Sequence, residues 1–240
     1  MRNKHQQRFW SFMILVTLAA GAGCSKTSSL SDVPGFSYLT IINEAPYGSV
    51  VDIYLNGTLV SPSGGIAPGR YSKEYGSLKP GVYTVDFKKT GTDSLLFEIP
   101  ASSFDIAKFY SLILFNSAPG SATVQAAKIV DNFSAVTTGG TYYRFFNLSP
   151  DVPAVDLYLN SSIAQLQRTP ADNADDLMYD EFQPVNPAVY SLQVKVSATD
   201  SVLATRNAIS LEAGSVYTIF LSGTDRSANN LKISVLQASR

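Results

Sequence analysis

Any chemistry in this chain has to come from carboxylates, hydroxyls and lysines, because histidine and cysteine are almost missing. His5 is the single histidine and Cys24 the single cysteine among 240 residues. Both precede the part of the chain that carries a strand pattern. Zinc sites built on His or Cys, Ser-His-Asp triads and Cys-His pairs are therefore excluded from that part. Lys-assisted serine chemistry finds no Ser-x-x-Lys motif in a helical setting. Two carboxylates, Asp52 and Asp156, hold equivalent places in two similar segments. A glycosidase-type pair needs carboxyls about 5–10 Å apart, and nothing in separate segments brings these two together. The expectation is that each braces a nearby turn by accepting backbone N–H groups, with ligand contact as the alternative. Asp172, Asp175, Asp176, Asp180 and Glu181 crowd into ten residues. Hard oxygen ligands at that density make a weak Ca²⁺ candidate of Asp172, Asp175, Asp176 and Asp180. DNADDLMYDE lacks the glycine-punctuated alternation of a calcium loop, so a solvated acidic loop is expected and no metal or cofactor is assigned.

Tyrosines are the other candidates for contact. Trp10, the only tryptophan, lies in the leading segment, while thirteen tyrosines remain. Tyr54 and Tyr158 alternate with apolar neighbours, on the same strand face as Asp52 and Asp156. If buried between domains they are packing, which is the expectation. If exposed they offer rigid, polar-tipped contact area for a glycan or a protein.

The elements that must carry these residues are strands. In Val51-Asp52-Ile53-Tyr54-Leu55-Asn56 the apolar positions repeat every second residue, and Asn56-Gly57 supplies a turn. The pattern predicts strands near 37–43, 50–56, 70–76, 82–88, 94–99, 107–115 and 122–129. A second set follows near 141–147, 154–160, 177–182, 188–196, 201–208, 215–222 and 230–237. A helical turn is expected only around 102–108. The two sets are one unit repeated. YLTIINEAPYGSVVDIYLNG (38–57) matches YRFFNLSPDVPAVDLYLNS at an offset of 104, and PGVYTVDF (80–87) matches PAVYSLQV (187–194) at 107. FYSLILF (109–115) likewise meets VYTIFLS (216–222). A repeat of this length implies two copies of one supersecondary unit, and about seven short strands per copy read as a β-sandwich.

The first 24 residues predict an address. Arg2, Lys4 and Arg8 form a basic head, Phe9 to Ala22 an apolar run, and Gly21-Ala22-Gly23 precede Cys24. That layout is a secretory signal and resembles a bacterial lipoprotein signal, in which Cys24 is lipidated and becomes the mature N-terminus. Gly21 stands where such signals usually carry an aliphatic residue, and an ordinary cleaved signal or a short membrane anchor is the alternative. Removing residues 1–23 leaves 217 and takes the net charge from −1 to −4. A mildly acidic chain without a basic block offers no footprint for nucleic acid. With Cys24 consumed there is no disulfide, and the core must hold by packing.

The repeated segments are similar to the bacterial domain of unknown function 4397 family. YRFFNLSPDVPAVDLYLN in the second copy and the Pro-Gly-x-Tyr turn at 80–83 carry the resemblance. It implies immunoglobulin-like sandwiches in envelope proteins of Bacteroidota-type bacteria, with no known catalytic set. The sequence-level expectation is an all-β protein of two tandem immunoglobulin-like β-sandwich domains: signal 1–23, tether 24–35, domains 36–132 and 138–240. The expected role is non-catalytic, that of a lipid-anchored envelope lipoprotein, in the outer membrane, with a structural, adhesive or protein-interaction task. A glycan-binding module using exposed tyrosines is the alternative. Expected partners are the membrane and an envelope protein or glycan, with the oligomeric state open.

Overall fold

The computed structural model of the chain describes residues 35–72, 75–116, 118–172, 177–199, 201–224 and 230–238. Cys24, the signal, all but the last residue of the tether, Asp175 and Asp176 lie outside them. The N-terminal half opens with β1 (Ser37–Asn43), β2 (Val51–Leu55), β3 (Thr58–Leu59) and β4 (Arg70–Tyr71). It continues through β5 (Gly76–Leu78), β6 (Gly81–Lys89), β7 (Leu95–Phe104), β8 (Phe109–Asn116) and β9 (Val124–Asp131). The C-terminal half starts with β10 (Thr141–Asn147), β11 (Val155–Leu159) and β12 (Ser162–Arg168), then a 3₁₀ turn at Leu177–Asp180. Last come β13 (Gln183–Val185), β14 (Ala188–Val196), β15 (Val202–Leu211), β16 (Val216–Ser222) and β17 (Lys232–Ala238).

These strands build four sheets, and the order in each half is alike. One sheet runs β3-β2-β6-β7 and its partner β4-β1-β8-β9, with β5 also on β1. The C-terminal half repeats this as β12-β11-β14-β15 and β13-β10-β16-β17. All ladders are antiparallel except β1 on β8 and β10 on β16, which run parallel. Val51, Ile53 and Leu55 of β2 face Leu39, Ile41, Leu112 and Leu114 across the first core. Val155, Leu157 and Leu159 face Phe145, Ile219 and Leu221 across the second. The fold is thus all-β and sandwich-like in both halves.

Local bonds explain the recurrent polar letters. Asn43 and Asn147, both fully buried, tie strand ends to the next loop. Asn43 Nδ2 donates to the Ile66 carbonyl (2.8 Å) and its Oδ1 accepts from Ala45 N (3.2 Å). Asn147 does the same with the Arg168 carbonyl (3.2 Å) and Ser149 N (3.1 Å). Each tyrosine of the Pro-x-x-Tyr turns closes its own turn: Tyr83 Oη donates to the Lys79 carbonyl and Tyr190 Oη to that of Asn186, both at 2.8 Å. Asn56 and Asn160 take positive φ at the β2–β3 and β11–β12 turns, where a short polar side chain tolerates that region best after glycine.

Four expectations are corrected. The predicted strand at 70–76 is two short strands, β4 and β5. The helical turn expected at 102–108 is the end of β7 followed by a tight turn: Ser102 and Ser103 pair with Tyr83 and Val82, Phe104 enters the core, and Lys108 N donates to the Asp105 carbonyl (3.3 Å). Residues 177–182 are not a strand but a 3₁₀ turn, held where Arg144 Nη1 donates to the Asp180 carbonyl (3.3 Å). Strand β12 was not expected at all, because two bulges break its period against β11.

Candidate functional site

The two inner sheets, β4-β1-β8-β9 and β13-β10-β16-β17, pack on each other by the faces turned away from their own cores. Ile42, Ile113, Phe115 and Ile129 meet Phe146, Leu148, Phe220 and Leu236. The positions are equivalent: Ile42 and Phe146 are 104 apart, Ile113 and Phe220, and Ile129 and Leu236, 107 apart. The junction therefore joins two like surfaces, as an isologous dimer interface does. It makes the molecule a stack of four layers, with β3-β2-β6-β7 and β12-β11-β14-β15 outermost. Strands β1, β8, β10 and β16 are buried at every residue because both faces are covered.

One buried ion pair breaks the likeness. Arg144 Nη2 lies 2.7 Å from Asp131 Oδ1, with side-chain exposures of 1% and 0%. The other carboxylate oxygen accepts Tyr75 Oη (2.6 Å) and Ser111 Oγ (2.7 Å). Arg144 Nε donates to Thr218 Oγ1 and its Nη2 to Ser111 Oγ, while its guanidinium covers the rings of Phe146 and Phe182 at 5.1 and 4.5 Å. The equivalent positions are Thr40 for Arg144 and Ala238 for Asp131, so the pair exists once. Burial, and then the Asp131 charge, push the Tyr75 hydroxyl's pKa far up, keeping it a donor. Across the junction Tyr47 Oη also donates to Asp151 Oδ2 (2.9 Å), and burial raises the pKa of Glu44.

Beside this pair opens a cleft of about 710 Å³, lined among others by Lys108, Phe109, Lys128, Asp131, Asp180 and Glu181. The connecting residues close one wall: Phe133 stacks on Phe182 at 5.2 Å and meets Phe109 edge-on at 5.2 Å. Lys128 is spent on the Ser103 carbonyl (2.8 Å) and the rings of Phe104 and Tyr110. Asp180 lines the same cleft. Burial raises its pKa to about 6, Arg144 counteracts and Asp131 reinforces. A carboxyl with a raised folded-state pKa binds more protons folded than unfolded in that window. Stability is therefore expected to fall as pH rises from about 4 to about 6. Asp180→Asn should flatten that part of a denaturation-versus-pH profile, and an unchanged slope would contradict the assignment.

The sequence-predicted residues sit elsewhere. Tyr54 and Tyr158 do not pack between the halves; they lie half-buried on the two outermost faces, at opposite ends of the stack. Their rings are covered by lysines, Lys88 at 4.9 Å and Lys195 at 4.4 Å. Asp52 Oδ2 accepts Gly91 N (3.3 Å). Asp156 Oδ1 accepts Gln167 N (2.8 Å) and Ser197 Oγ (2.6 Å). Of the calcium candidates, Asp172 is engaged by Arg168 Nε (2.9 Å) and Thr169 Oγ1 (2.6 Å), and Asp180 lines the cleft beside the ion pair. No cluster of three acidic, His or Cys residues suited to a metal occurs among the described residues. Arg144, Asp131 and Arg168 escaped the sequence reading. Arg168 occupies the place of Ile66, each paired with the start of its neighbouring strand, and its guanidinium lies 3.7 Å from the Tyr179 ring centroid.

In comparisons with known proteins, the model of a domain of unknown function (DUF4397) matches residues 37–158. The match starts at β1, crosses the junction and ends within β11. No curated protein matches the chain.

Proposed function

This chain belongs to the DUF4397 family, and from that premise we propose that it is a non-catalytic lipoprotein of the cell envelope, a rigid body that presents its two outer sheets to a partner. The observation that carries this reading is the junction: a buried apolar surface between inner sheets, locked by the Arg144–Asp131 pair. A fixed junction would hold the two outer sheets at a constant separation and orientation for a partner. Cys24 would carry the lipid and residues 24–35 the tether, holding the body at the outer membrane. The units would span 36–132 and 138–240 as immunoglobulin-like sandwiches. Paired tyrosine corners support that assignment: Tyr110 Oη accepts Asp105 N (2.8 Å) and Tyr217 Oη accepts Glu212 N (2.9 Å).

Two measurements test this. Palmitate should label the full chain in cells and not its Cys24→Ala variant. In that variant, spin labels at Thr58→Cys and Ser162→Cys, equivalent exposed positions of the outer sheets, should give one narrow distance distribution. A broad distribution, or labelling that survives Cys24→Ala, would overturn the reading.

A further inference from the structure

We propose that a shallow pocket on the outer face of the β12-β11-β14-β15 sheet binds an uncharged, hydroxyl-rich ligand, a pyranose unit of a glycan. The pocket measures about 410 Å³, within the span of small-ligand sites, about 300–1,000 Å³. Asp156 and Tyr158 form its base, with Ile163, Leu166, Gln167 and Ser197 among its walls.

The chemistry of these groups selects the ligand. Asp156 is only 5% exposed, and two donors on Oδ1 fix its carboxylate. Oδ2 makes no hydrogen bond among the described residues, which leaves a pre-oriented acceptor for a hydroxyl. Lys195 pairs directly opposite Asp156 in the ladder and lies over the Tyr158 ring, beside the pocket and not in its lining. A hydroxyl of a neutral ligand can donate to Oδ2 and needs no counter-charge, whereas an anion would meet the Asp156 carboxylate directly. Ile163 and Leu166, 52% and 57% exposed, give the C–H face of a sugar ring its apolar wall.

The backbone of the pocket differs from that of the matching face in the N-terminal half. Gln167 and Ala198, both lining the pocket, hold φ of 51° and 61°. The equivalent of Ala198 is Gly91, which takes φ of 73° without a side chain to strain. In the N-terminal half β3 is two residues long and pairs with β2 without a bulge, whereas β12 has seven residues and two irregularities of register, and contributes Ile163, Leu166 and Gln167 to the pocket. The Asp52–Tyr54 face is thus the natural control.

The test uses the full chain in a sugar-free detergent and saturation-transfer NMR with maltotetraose, cellotetraose, xylotetraose, mannotetraose and chitotetraose as probes. Choline and acetate serve as charged controls. At least one tetraose should bind saturably. Tyr158→Ala and Leu166→Ser should weaken it at least tenfold, and Tyr54→Ala should not. Leu166→Ser changes an exposed residue and keeps the test open if Tyr158→Ala fails to fold. Binding to no tetraose, preference for choline or acetate, equal loss in Tyr54→Ala, or indifference to Leu166→Ser would each overturn the proposal. It goes beyond the presenting role, whose spin-label and palmitate readouts would stand or fall independently.

Discussion

Arg144→Ala is expected to destabilise the protein by about 3–5 kcal/mol, the usual cost of leaving one member of a buried ion pair alone. The reason is electrostatic. Asp131 would keep its Tyr75 and Ser111 donors but lose the cation paired with it in a fully buried site. Removing both charges tests the cause. Arg144→Met with Asp131→Leu replaces the pair by apolar volume, a change often neutral in itself. It orphans the Tyr75 hydroxyl, so a residual loss of about 1–3 kcal/mol is expected. Chemical denaturation of the three proteins decides it. A double variant as unstable as Arg144→Ala would mean that the guanidinium acts through packing on Phe146 and Phe182, not through its charge.

The second large effect separates two neighbours on β10. Phe145 and Phe146 are both fully buried, but on opposite faces: Phe145 belongs to the C-terminal core and Phe146 to the junction. Truncating either to Ala should cost about 3–5 kcal/mol. The consequences should differ in kind. Phe145→Ala lowers the melting temperature while the Thr58–Ser162 label distance stays narrow up to unfolding. Phe146→Ala loosens the halves first, broadening that distance at temperatures where each half keeps its strands. Identical distance behaviour in the two variants would contradict the four-layer arrangement.

Much of the fold was legible because burial leaves a period in the letters. Strands β2 and β6 each have one face on a core and one toward water, so Val51, Ile53 and Leu55, or Val85 and Phe87, alternate with polar residues. The repeat was legible because equivalent strands need equivalent turns, hence Asn56 with Asn160 and Tyr83 with Tyr190. β12 was not legible, since its bulges spoil the alternation and its stabilising bonds come from Asp156 and Asn147, distant in sequence. The 3₁₀ turn at Leu177–Asp180 was lost for a like reason: Arg144, over thirty residues earlier, holds it.

The junction is partly written in the sequence. FYSLILF and the strand containing YRFF are apolar almost without alternation, the mark of strands covered on both faces. That pattern pointed to the inner sheets as the joined surfaces and away from Tyr54 and Tyr158. By itself, then, the sequence determined strand periodicity, the duplication and the absence of His- or Cys-based chemistry from the body of the chain, since each depends on residue type and local spacing. Which faces meet, that Asp131 finds Arg144, and that a pocket forms over Asp156 were decided only by the tertiary structure. Those outcomes depend on contacts between residues far apart in the chain, whose energies no local pattern encodes.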